Sequence, residues 1–208
     1  LWDTAYYKGN YYVYFGILPL LVFFLPYYIV TKKNLDMAIV IFILSMIIFI
    51  LIKEVLLKII NRYFSKIPFK IIVGSLIMLC SGSLVLYADG MSRFYELAVL
   101  SALACVLLGM YFILKSLEKD EKKYINIFWG SLFLALSVAC RPIALLASLI
   151  ILPYLIQLLI INIKKFKSDK MSLLKLIISS GIPYITVGIL LMIYNYVRFE
   201  NPFEFGAK

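Results

Sequence analysis

The sequence predicts an all-α fold, a polytopic bundle of transmembrane helices with about six full spans and one surface or re-entrant helix. Three observations predict it. Of the 208 residues, 64% are apolar and only 15% are charged, against about 45–50% and about 25% in an ordinary soluble domain. The apolar residues gather into seven runs, most of them near the ~20 residues that a helix needs to cross a bilayer core. The basic residues collect between alternate runs, as they do in the cytoplasmic loops of membrane proteins. The chain is expected to be an internal fragment of a larger protein, because it starts at Leu1 and stops at Lys208 just past an apolar segment.

The seven runs cover 11–30, 36–57, 69–88, 96–114, 125–141, 143–162 and 173–196. Only a helix satisfies its own backbone in hydrocarbon, so each is expected to be helical. Residues 53–70, from the end of the second run, carry Lys53, Lys58, Arg62, Lys66 and Lys70. Lys115, Lys119, Lys122 and Lys123 follow the fourth. Lys164, Lys165, Lys167, Lys170 and Lys175 follow the sixth. These stretches hold 14 of the 21 basic residues, which puts them in the cytoplasm. The turns at 89–95, near 141–142 and after 197 then face outward.

The first run contains Pro19 and Pro26 and is dense in Tyr and Phe. Proline interrupts a helix ladder, and these aromatic rings favour the membrane interface. A kinked helix near the outer surface that does not complete a crossing is expected. On this reading Lys32 and Lys33 are outside, against the charge rule. The chain divides into 1–35, the end of an outer loop with a surface helix; 36–197, six transmembrane helices; and 198–208, the start of another outer loop. Ser101, Cys105 and Gly109 recur every four residues, as do Ser131, Ala135 and Ala139. Such small-residue stripes let helices approach closely in lipid.

The composition also excludes chemistry. With no histidine, His-ligated zinc, Ser-His-Asp hydrolysis and haem ligation by histidine fall away. Cys80, Cys105 and Cys140 stand apart inside apolar runs, without metal-ligand spacing. The net charge of +10 orients loops in a membrane and does not point to nucleic acid.

The polar residues on the outward side are the candidates for function. The first stretch sets Asp3 and Lys8 among Trp2, Tyr6, Tyr7, Tyr11, Tyr12 and Tyr14. It is either an aromatic interface belt or a site for a sugar or a lipid phosphate. The turn before the fourth run holds Asp89, Arg93 and Glu96. Glu96 either caps a helix or orients an acceptor, a neighbouring cation or a divalent metal, Mg or Mn. Arg141-Pro142 breaks a run that is otherwise apolar from Phe128 to Leu152. A charge there is expensive in a membrane, which makes it a functional candidate or half of a structural salt bridge. The tail joins Tyr194, Asn195, Arg198, Asn201 and Glu204 to three phenylalanines. Carboxylate, cation and aromatic ring recur in these four clusters, as a site for an anionic, lipid-attached substrate requires.

The order of these pieces resembles the glycosyltransferase-C superfamily of membrane glycosyltransferases, which includes protein O-mannosyltransferases and lipid A aminoarabinose transferases. The chain looks closest to its uncharacterised bacterial members. The likeness is carried by Tyr7-Lys8-Gly9-Asn10-Tyr11-Tyr12-Val13-Tyr14-Phe15-Gly16, Ser92-Arg93-Phe94-Tyr95-Glu96, Arg141-Pro142, and Tyr194-Asn195-Tyr196-Val197-Arg198-Phe199 with Asn201-Pro202-Phe203-Glu204-Phe205-Gly206. It spans nearly the whole chain, through order and spacing rather than one diagnostic motif.

The resemblance implies transfer of a sugar from a polyprenyl-phosphate carrier to a glycan, lipid or protein acceptor outside the cytoplasm. It implies residence in a bacterial cytoplasmic membrane with the active side outward. Glu96 would take the acidic position of the second outer loop and Arg141 the basic position before proline. The catalytic aspartate would lie upstream of Leu1, since Asp3 sits late for it. Lys8, Arg93, Arg141, Tyr194, Asn195 and Arg198 would bind substrate, with Lys8, Arg141 and Arg198 countering the leaving phosphate. The rival expectations are a flippase for lipid-linked sugars, which would need charges deep in the spans, and a non-catalytic assembly subunit, which would need none of the outward clusters.

Overall fold

The chain begins as an antiparallel hairpin. β1 (Thr4–Tyr7) pairs with β2 (Asn10–Val13), Thr4 opposite Val13 and Tyr7 opposite Asn10. Lys8 and Gly9 form the turn, both at positive φ (46° and 90°). Two such residues give the turn whose twist matches paired strands. The computed structural model describes residues 4–13, 16–64, 66–82, 85–86, 88, 93–118, 122–151, 156 and 170–205.

The hairpin corrects the expectation of helix from residue 11. Tyr11, Tyr12 and Val13 prefer extended backbone, and the turn at Lys8-Gly9 supplies them with a partner strand. Apart from this ribbon the described elements are helical. A π-helical turn, Leu20–Phe24, runs directly into α1 (Leu25–Thr31). The Leu25 N–H reaches back to the Leu20 carbonyl, and Pro26 follows without an N–H of its own. Twelve residues at 1.5 Å rise make about 18 Å, short of the ~30 Å core, so this segment does not cross as a helix. α1 stops at Lys32, whose φ of 56° turns the chain.

Four helices are long and apolar enough to span a membrane: α2 (Met37–Tyr63), α4 (Phe94–Ser116), α5 (Lys123–Cys140) and α6 (Lys170–Phe199). The chain is an integral membrane bundle. The other two expected crossings lie partly outside the described residues. α3 (Phe69–Ser81) covers only the first part of 69–88, and a 3-10 helix, Pro142–Ile151, covers the first part of 143–162.

α2 is capped by the Asp36 carboxylate, which accepts from the Ala38 N–H at 2.9 Å. It packs on α4 through Val40, Ile41, Leu44 and Ile48 against Leu97, Leu100 and Ala104. α4 packs on α5, and α5 on α6. Lipid tails are as apolar as leucine, so these contacts depend on close packing rather than on escape from water. Ser101, Gly109, Ser131, Ala135 and Ala139 are buried; Gly109 lies in the α4–α5 seam against Gly130 and Leu134, while Ala135 and Ala139 pack with Val187 of α6. A Cβ added to Gly109 would stand 2.5 Å from Leu134 Cγ, and one added to Gly130 would stand 2.7 Å from Ile113.

α2 and α4 run the same way, and their C-terminal ends are clamped together. Lys58 reaches Glu118 at 2.6 Å and lies 4.9 Å from the centre of the Tyr111 ring, while Arg62 donates to the Leu117 carbonyl at 3.0 Å. Lys66, Lys70, Lys122 and Lys123 join that end. α5 and α6 return to the opposite end, where the first residues of α2 and α4 also lie.

Candidate functional site

The site grows from the last turn of α6. Tyr194, Asn195 and Arg198 are spaced to share one face of that helix. Arg198 Nη2 donates to Asn195 Oδ1 at 2.8 Å, and Asn195 Nδ2 donates to the Pro202 carbonyl at 3.4 Å. The second bond is possible because Glu200, at φ 54°, folds residues 200–205 back. The guanidinium carbon lies 3.9 Å from the centre of the Tyr194 ring and 4.7 Å from that of Phe199. Asn195 is only 1% exposed. It acts as a bracket that fixes the orientation of the cation, since a planar fork held at one edge presents its remaining donors in a set direction.

The hairpin rests on this turn. The rings of Tyr7 and Tyr12 meet Phe199 edge-on at 5.8 and 5.5 Å. Lys8 pairs with Glu200 at 2.5 Å. That hydrogen bond raises the Lys8 pKa above its ordinary value. Both partners sit at positive φ, a conformation that costs non-glycine residues about 1–2 kcal/mol. The connection to the next helix is pinned as well. The Gly16 N–H donates at 3.0 Å to the carbonyl of Cys140, the last residue of α5, and a Cβ on Gly16 would stand 1.7 Å from the Ala139 oxygen.

These contacts enclose a cavity of about 650 Å³. Tyr11 and Tyr12 of β2 form one wall, and Leu20, Phe24, Leu25 and Tyr28 of the short helical segment form another. Phe94, Leu97 and Ala98 of α4 close a third, and Tyr194 and Arg198 stand on a fourth. Lys33, Asn34 and Leu35 complete the rim. The interior is apolar and aromatic, with one oriented guanidinium. Such a space suits an apolar chain carrying an anionic group.

The four polar clusters of the sequence therefore meet at one end of the bundle, but they do not form one site. Tyr194 and Arg198 line the cavity, with Asn195 behind them. Lys8 is held in an ion pair with Glu200 and is not among the residues lining the cavity. Arg141 is half-buried at the end of α5, its guanidinium 4.3 Å from the centre of the Tyr95 ring, and it is not among the residues lining the cavity. Arg93 is exposed at the position preceding α4, without a side-chain cap. Glu96 is 7% exposed, and its Oε2 has no hydrogen-bond partner among the described residues. At about 100° per residue it faces away from Phe94, Leu97 and Ala98 on the same helix. Asp3 and Asp89 lie outside the described residues. Among the described residues no group of three His, Cys, Asp or Glu side chains comes together to hold a metal ion.

Four cavity residues were not among the candidates read from the sequence: Asn34 was not singled out at all, Gly16 and Phe94 stood only within the motifs of the resemblance, and Lys33 was noted only for its side of the membrane. The signal at Lys33 was a cation on the side where cations are disfavoured. Comparison with family models, curated proteins and solved structures finds no match for this chain.

Proposed function

We propose that the chain is part of a membrane glycosyltransferase that moves a sugar from a polyprenyl-phosphate carrier to an acceptor outside the cytoplasm, in a bacterial cytoplasmic membrane. The observation that carries this reading is the oriented guanidinium of Arg198 on the wall of an aromatic, apolar cavity. The prenyl chain lies along the apolar walls, and the phosphate meets Arg198. Tyr11, Tyr12 and Tyr194 offer ring faces and hydroxyls of the kind that bind sugars.

Sugar transfer breaks the bond from the anomeric carbon to the phosphate oxygen and forms one to the acceptor oxygen. The leaving group departs as a phosphate ester, so the chemistry needs a cation at the departing oxygen more than it needs an acid. Arg198 supplies that cation. A general base must take the acceptor proton. No carboxylate lines the cavity among the described residues, so the base is assigned to another part of the protein. Glu96 and Arg141 flank the site from α4 and from the end of α5, where they act on its surroundings rather than on the carrier.

The test is transfer from a radiolabelled polyprenyl-phosphate sugar in membranes that contain the full-length protein. Arg198→Ala is expected to abolish transfer while leaving the protein folded and inserted. Full transfer by that variant would refute the reading.

A further inference from the structure

The rim of the cavity carries a second cationic group that the transferase reading does not use. Lys32 and Lys33 end the short helical segment, and the left-handed turn at Lys32 breaks the helix there. Lys33 and Asn34 line the cavity, on the rim formed by the turn between α1 and α2. Lys32 lies 5.8 Å from the centre of the ring of Tyr28, another lining residue. No carboxylate of the described residues pairs with either lysine. The nearest acid in sequence, Asp36, accepts from the Ala38 N–H. The helical segment before them is too short to cross, and it exposes Leu21, Val22, Ile29 and Val30. Apolar surface leading to uncompensated cations is the pattern of an element lying in the headgroup layer.

We propose that Lys33 and Asn34 bind the phosphate of an anionic bilayer phospholipid, whose acyl chain lies on the apolar walls beside Leu25 and Tyr28. The cavity then holds a resident phospholipid, which the polyprenyl carrier displaces on entry. The inference rests on the transferase reading only in that both lipids use one cavity. Charge complementarity selects the occupant. A zwitterionic headgroup would bring a second cation against two lysines, whereas an anionic headgroup brings none. Lys33 and Asn34 together offer an ammonium and an amide donor to the phosphate oxygens.

The experiment titrates the purified full chain, in nonionic detergent, with a fluorescent short-chain phosphatidylglycerol. Phosphatidylcholine and inorganic phosphate serve as competitors. Phosphatidylglycerol is expected to bind at one lipid per chain and at least about tenfold tighter than phosphatidylcholine, the scale of one lost charge-assisted hydrogen bond. The exposed double substitution Lys33→Gln with Asn34→Ala is expected to lower that affinity about tenfold without moving the melting temperature. Lys66→Gln, at the far end of the bundle, is expected to leave it unchanged. Equal binding of the two phospholipids would overturn the proposal, as would full affinity in the double variant. Displacement of the probe by inorganic phosphate at the same concentration would overturn the assignment to a lipid. Sugar transfer plays no part in this titration, so its outcome is separate from that of the transferase reading.

Discussion

Asn195→Asp separates an electrostatic role of the α6 terminus from a structural one. The side chains are nearly isosteric, and Oδ1 of Asn195 already accepts from Arg198 Nη2 at 2.8 Å. The substitution keeps that bond and turns it into an ion pair. The Nδ2 donation to Pro202 is lost, but at 3.4 Å it is a long bond. The bundle should therefore remain folded, with a melting temperature near that of the parent. A phosphate at Arg198 would now face a full negative charge. At about 5 Å and an effective dielectric of about 20 the repulsion is roughly 3 kcal/mol. That corresponds to about a hundredfold weaker binding. Asn195→Ala keeps Arg198 charged but frees its orientation, and it should cost less, about 1.5–3 kcal/mol for a hydrogen bond to a charged group. The assay is equilibrium binding of a polyprenyl phosphate to purified protein in detergent, with the melting temperature measured on the same samples. If Asn195→Asp binds within about threefold of the parent, Arg198 is not the phosphate ligand.

Four further outcomes are expected. Gly16→Ala places a methyl group against the Ala139 carbonyl and should destabilise the protein by about 1–3 kcal/mol, as overpacking does, which thermal unfolding in detergent would detect. Gly130→Leu should separate α4 from α5 and lower the melting temperature further, and an unchanged value would show that the two helices do not meet at Gly109. The Lys8–Glu200 pair should hold the hairpin through the neutral range. The raised Lys8 pKa means that the contribution is present below the ordinary lysine value of 10.5 and is lost as the pH climbs above it, a release that a cross-link between cysteines at positions 7 and 199 would follow. Cysteines placed at Lys66 and Lys122 should resist labelling from outside whole cells while one at Asn201 is labelled, and the reverse pattern would invert the proposed orientation.

Hydropathy was enough to locate the long helices. α2, α4, α5 and α6 follow runs legible in the sequence, because apolar length in hydrocarbon leaves the backbone no other solution. Charge placed the clamp of Lys58, Arg62 and Glu118 at one end of the bundle and the aromatic clusters at the other, since alternation along the chain decides which helix ends are neighbours. Of the small residues every four positions, Gly109 marks the α4–α5 seam, and Ala135 and Ala139 mark the face that α5 turns to α6. The hairpin escaped because Tyr-Tyr-Val reads as apolar in any window, while its pairing depends on two residues at positive φ.

The site itself was decided by tertiary structure. Tyr12 and Arg198 stand at opposite ends of the chain, and only the docking of the hairpin on Phe199 brings them to one cavity. The same holds for α4, whose sequence sets Glu96 off the face of Phe94 and Ala98 but says nothing of the rotation that turns Phe94, Leu97 and Ala98, and not Glu96, to the cavity. Sequence fixes spacing along a helix, but the rotation of that helix is set by what packs against it. For α4 these are the apolar ridge of α2 and, on α5, Gly130 and Leu134.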